Sequence, residues 1–138
     1  SYAIGYTITQ EELDGYPYLR MAKDSTDVGV IIGFNSVTKP EAISPLFKNN
    51  IVCINPLNWK TDASPGVSYQ GFTASIDPSI HTIVVTGIDE DKYYIPSVEV
   101  LLPKGNLHVE EFNLYNQNLR KNVLQRIRAF HERSFQSN

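Results

Sequence analysis

Asp27-Val28-Gly29-Val30-Ile31-Ile32-Gly33-Phe34 runs, after its opening aspartate, through seven residues with no polar side chain. An unbroken apolar run of that length does not alternate between a wet and a dry face. It predicts a strand covered on both sides, as in the interior of a mostly parallel sheet flanked by helices. Downstream, Ile51-Val52-Cys53-Ile54-Asn55 repeats the pattern and is closed by Pro56, which has no amide to give a ladder. His81 to Ile88 (HTIVVTGI) is the strongest strand signal in the chain, and Ser68 to Ser75 alternates weakly, as an edge strand would. Upstream, residues 2–8 (YAIGYTI) are rich in aromatic and β-branched types and predict a further strand.

Two segments predict helices. Thr9 and Glu12 have the spacing of a capping box, in which hydroxyl and carboxylate each satisfy a free amide at a helix start. That helix is short, because Gly15 and Pro17 interrupt it. From about Glu111 to Glu132 the period changes: Phe112, Tyr115, Leu119, Val123, Ile127 and Phe130 fall on one helical face, with Asn118, Arg120, Lys121, Gln125 and Arg128 opposite. Such a helix is roughly 30 Å long, enough to lie across a whole sheet. The order of elements is that of an α/β protein.

A chain of 138 residues fits one domain, and its 41% hydrophobic and 20% charged residues are ordinary for a globular protein. Net charge is −3 and the 12 basic residues are scattered, so nucleic acid is not an expected partner. No run approaches the ~20 apolar residues of a transmembrane helix. Cys53 is the only cysteine; it excludes an internal disulfide and reads as a small buried hydrophobe. No cofactor motif is present, and the cellular compartment stays open. Residues 1–138 are expected to be a single domain or a fragment. The chain opens directly on a strand-like run, and it supplies one long helix for a sheet that needs cover on two faces. The missing cover is expected from an absent N-terminal segment or a second subunit.

Candidate chemistry centres on His108, in the loop before the terminal helix, where functional groups of open α/β sheets collect. A loop histidine suits general-base work because its pKa lies near neutrality. No Gly-x-Ser-x-Gly elbow exists here; Ser36, Ser44, Ser64 and Ser75 sit in turn-like settings without framing glycines. Asp62, in the distinctive segment Ile54 to Asp62 (INPLNWKTD), is the acid chosen to partner His108, with Asp27 and Asp89 as rivals. In the same segment Asn55 and Asn58 are turn-formers and Trp59 an anchor. His81 and His131 are read as incidental.

Four stretches, AIGYTIT (3–9), DVGVIIGFN (27–35), INPLNW (54–59) and GNLHVEEFNLYNQNLRKNVLQRI (105–127), together resemble an uncharacterised bacterial domain-of-unknown-function family of α/β-hydrolase-like proteins. The resemblance implies that this chain is the C-terminal portion of a serine-hydrolase- or lipase-like domain. The elbow serine would belong to a preceding region, and the substrate would be a small ester or acyl compound. His108 matches the hydrolase histidine. Where the family often shows an aspartate shortly after it, this chain reads Glu110-Glu111, a departure that weakens an acid role at that point. The resemblance further implies that the chain alone is inactive; the alternative is a non-catalytic α/β binding or oligomerisation module.

Overall fold

The computed structural model describes residues 1–136. A short helix, α1 (Gln10–Gly15), is followed by four strands, β1 (Ser36–Val37), β2 (Gly66–Val67), β3 (Thr73–Asp77) and β4 (Thr82–Thr86). Helices α2 (Glu111–Leu114) and α3 (Asn116–Gln136) end the chain. The capping box of α1 forms as expected: the Glu12 amide donates to Thr9 Oγ1 at 3.2 Å, and the Thr9 amide donates to Glu12 Oε2 at 2.8 Å.

The sheet is mixed, in the order β1-β4-β3-β2, and not mostly parallel. β1 runs parallel to β4, while β3 is antiparallel to both β4 and β2. The turn from Pro78 to His81 explains the hairpin. Asp77 Oδ1 accepts from the Ser79 amide at 2.9 Å, and a turn this tight can only join antiparallel neighbours. The weakly alternating strand is therefore internal, and the edge falls to β2.

The run from Val30 to Phe34 is buried throughout, yet it joins its neighbours through single bridges rather than ladders. Ser1 to Gly5 lies parallel to it, with the Ala3 amide donating to Ile32 O at 2.7 Å and the Gly5 amide to Phe34 O at 3.1 Å. Its other side takes the Ile54 amide on Gly33 O at 3.0 Å. Side-chain amides stand in for a regular ladder around residues 50–55: Asn50 Nδ2 donates to Val52 O at 2.8 Å, and Asn55 Nδ2 to Ala74 O at 2.9 Å. One apolar cluster gathers these segments, with Phe34 and Phe72 set edge-on to Tyr115 at 5.1 and 6.0 Å.

The terminal helix is present, interrupted at Tyr115, but it is rotated from the expected face. Tyr115 and Leu119 are buried, whereas Phe112, Val123, Ile127 and Phe130 are 65%, 38%, 48% and 57% exposed. Asn122 and Arg126 turn inward instead. Arg126 donates to Asp27 O (2.6 Å), Asp24 O (2.7 Å) and Asn122 Oδ1 (2.7 Å), and its guanidinium lies 5.5 Å from the centre of the Trp59 ring. Tyr2 also donates to Asn122 Oδ1 at 2.7 Å. The docked face of the helix thus carries charge-assisted bonds to backbone carbonyls, while much of the apolar stripe stays at the surface.

Candidate functional site

Residues 105–107 run along the edge of β1, where the Thr38 amide donates to Gly105 O at 2.8 Å and the Leu107 amide to Ser36 O at 3.0 Å. This pairing delivers His108 to a single 3-10 turn, His108–Glu110, which leads into α2. Asn106 fixes the turn, accepting from the His108 amide at 3.0 Å while its own amide donates to Ala42 O at 3.0 Å.

The turn brings Glu111 back beneath His108. Glu111 Oε1 lies 3.2 Å from His108 Nδ1, and the carboxyl group is completely buried. Its second oxygen faces Ser36 Oγ at 3.4 Å, and Ser36 Oγ lies 2.8 Å from the Tyr115 hydroxyl. Ser36, Glu111 and Tyr115 all sit in the core. Burial pushes the Glu111 carboxyl up to about 7, against the pull of the His108 and Ser36 donors. The same His108–Glu111 bond raises the imidazole above its usual value.

The imidazole is held from two further sides. Phe47 packs against it with ring centres 4.9 Å apart. Gly5 also lies against it with φ +72°, and a Cβ there would collide with the ring. Among the described residues Nε2 has no hydrogen-bond partner, and the ring is partly open to solvent. A carboxylate on Nδ1 favours the tautomer with a proton on that nitrogen, which leaves a lone pair on Nε2.

Asp62 lies elsewhere. It is fully exposed, its carboxylate accepts from the Ser64 amide at 3.0 Å and from the Ser64 hydroxyl, and these bonds hold it below the usual carboxylate range. Asp27 accepts from the Lys23 amide and pairs with Arg20, and Asp89 caps the turn at Glu90–Tyr93. Among the described residues the carboxylate bonded to His108 is that of Glu111. The stretch from Ile54 to Lys60 forms a turn: Asn55 Oδ1 accepts from the Leu57 amide, Asn58 Oδ1 from the Lys60 amide, and Trp59 is buried. Cys53 is buried close enough to feel the Glu111 charge, and its thiol is pushed far up, so it is no nucleophile at neutral pH.

The sequence reading set Ser36 aside as an unframed serine, discounted an acid at Glu110-Glu111, and placed Tyr115 only on the apolar face of the helix. The structure brings Glu111 to His108 and Ser36 to Glu111 and Tyr115. The usable signal was the three-residue spacing of His108 and Glu111, which places two side chains on one face of a helical turn. Ser36 and Tyr115 left no comparable mark, because nothing local says that Ser36 meets Glu111, 75 positions away, and the Tyr115 hydroxyl, 79 positions away.

Among the described residues no three His, Cys, Asp or Glu side chains gather to hold a metal ion, and no helix is long and apolar enough to cross a membrane. What fold and site define together is an α/β-like protein with a buried carboxylate–histidine pair beside a mixed sheet. Comparison with known proteins finds no matching family model, curated protein or solved structure.

Proposed function

We propose that this chain is the acid–base portion of a hydrolase of the serine type, acting on ester or acyl bonds. His108 is the general base, and Glu111 fills the acid role for which the sequence had suggested Asp62. The supporting observation is the buried Glu111 carboxylate on Nδ1 with Nε2 left unpartnered, which is the arrangement in which an imidazole accepts a proton from a nucleophile. In this reading the nucleophilic serine comes from polypeptide outside these residues; Ser36 itself is buried, on the other Glu111 carboxyl oxygen from His108. In the complete enzyme the serine hydroxyl attacks the carbonyl as its proton passes to Nε2. The imidazolium then protonates the leaving group, and a water molecule, deprotonated by His108, releases the acyl group.

An uncovered surface supports an incomplete sheet. The amides and carbonyls of Tyr2 and Ile4 have no partner among the described residues. Beside them run two adjoining apolar grooves of about 340 and 310 Å³, both lined by Tyr2 and Val123. In this reading an N-terminal hydrolase segment, or a second subunit, covers them. The same surface favours the second reading, a non-catalytic α/β module that associates through this face.

The test is activity. The chain alone is expected to show no turnover of short-chain nitrophenyl esters. In a longer parent carrying the nucleophile, His108→Ala is expected to lower kcat by about 10²-fold or more with folding retained. Inhibitor-sensitive turnover by the isolated chain, or full activity of the His108→Ala parent, would overturn the proposal.

A further inference from the structure

The carboxylate beside His108 is not held by His108 alone. An ionised carboxylate only accepts hydrogen bonds, and Glu111 is sealed from water, so its charge depends on donors within the core. Two are arranged in series. Ser36 Oγ, 3.4 Å from Glu111 Oε2, has one proton to give, and the Tyr115 hydroxyl lies 2.8 Å behind it. With Ser36 donating to Glu111, the remaining role of its oxygen is to accept from Tyr115. While Glu111 is ionised the chain of protons therefore runs from Tyr115 to Ser36 to Glu111, and it ends on the carboxylate that also accepts from His108 Nδ1. Tyr115 can donate only from one place, because Phe34 and Phe72 box its ring edge-on. Ser36 is fixed by β1, through the register Ser36↔Ile83.

We infer that Tyr115 and Ser36 are positioning residues, a buried hydroxyl relay that fixes the orientation and charge of Glu111 and, through it, the tautomer of His108. The arrangement deepens the general-base role proposed above and rests on it for its catalytic meaning; the effect on His108 itself needs no substrate and no nucleophile. Cooperative polarisation along such a chain makes the far hydroxyl matter to the near ring. Neither hydroxyl touches His108 directly.

The experiment follows the His108 ring by ¹⁵N NMR across pH in this chain. In the wild type the neutral ring is expected to carry its proton on Nδ1. Tyr115→Phe and Ser36→Ala are each expected to raise the acid dissociation constant of the imidazolium about three- to tenfold, the worth of one hydrogen bond, and to reduce the Nδ1-protonated fraction. Phe34→Leu, which loosens the packing around Tyr115 but keeps both hydroxyls, is expected to leave the ring signals unchanged. Equal shifts in Phe34→Leu and Tyr115→Phe, or none in either hydroxyl variant, would overturn the relay. Should both hydroxyl variants fail to fold, the wild type still decides: the Tyr115 Cζ resonance must move as His108 titrates, and a flat Cζ would refute it. Failure here leaves the ester-hydrolysis proposal standing, since that proposal is read from turnover in the longer parent.

Discussion

Glu111 Oε1 lies 3.2 Å from Nδ1 of His108, one helical turn earlier, and the carboxyl group behind that contact is wholly enclosed by protein. The pair joins the last loop of the sheet to the terminal helix.

Its first consequence is a pH-dependent stability. Both groups bind protons more tightly when folded: Glu111 rises from 4.5 to about 7 through burial, and His108 rises above 6.5 through its bond to Glu111. The folded chain therefore holds more protons than the unfolded one from pH 4.5 upward through neutrality, and stability falls as pH rises through that window. The carboxylates held low, Asp24, Asp62, Asp77 and Glu90, act in the opposite sense, with stability lost as pH falls below their ordinary range, so the two effects separate. Thermal midpoints taken at intervals between pH 5 and 8 are expected to fall, and Glu111→Gln is expected to flatten the curve. The same slope in both proteins would contradict this account.

Gly5→Ala should displace the imidazole. The backbone there has φ +72°, and the added methyl would occupy the space of the His108 ring. Strain and collision together are expected to cost about 1–3 kcal/mol in urea unfolding and to abolish the Nδ1–Glu111 bond in ¹⁵N spectra. Gly15→Ala, where a Cβ meets nothing within 4 Å, serves as the comparison.

Arg126 anchors α3 through two backbone carbonyls and Asn122. Arg126→Met keeps much of the apolar stem and removes every donor. It is expected to lower the free energy of unfolding by about 2–4 kcal/mol, given ~1.5–3 kcal/mol for a bond to a charged group and the partial relief of its desolvation. A loss below about 0.5 kcal/mol would show that the helix docks without it.

Ile127→Glu tests the exposed stripe. Since Ile127 is about half exposed, the substitution is expected to change this chain's own stability by less than about 0.5 kcal/mol. In the proposed longer parent, whose N-terminal segment or second subunit would cover this groove, it is expected to weaken the fold or assembly markedly, because it would place a charge there. Equal, small effects in both would argue that nothing docks there.

Cys53 should be inert. Buried beside Glu111 with its thiol pushed up, it is expected to resist thiol reagents at pH 8 in the native chain and to react at once in urea. Rapid native labelling would show that this part of the core opens.

Much of the fold was written locally. The box of Thr9 and Glu12 depends on residues three apart, the Asn55 turn on neighbours two apart, and the strand at Thr82–Thr86 on its β-branched run. The long helix was legible from its period, but its buried face was not, because periodicity counts apolar side chains and cannot see the carbonyls that Arg126 finds about a hundred residues upstream. The sheet's mixed direction was misjudged for a related reason: continuous apolar runs suggested parallel pairing, whereas the short turn after Asp77 made β3 and β4 a hairpin.

The amino-acid order by itself determined the capped first helix, the strand at Thr82–Thr86, the terminal helix, that the apolar runs end in the core, and that His108 stands in the turn before the last helix. The expected strands at 2–8, 28–34 and 51–55 form only isolated bridges, and β1 and β2 fall in stretches that read as loops. Only tertiary structure decided what His108 touches. A carboxylate's partner is set by distances of a few ångströms between side chains, and the chain must close on itself before Ser36, Glu111 and Tyr115 share one space. Burial, which lifts Glu111 toward neutrality, exists only once that space is sealed.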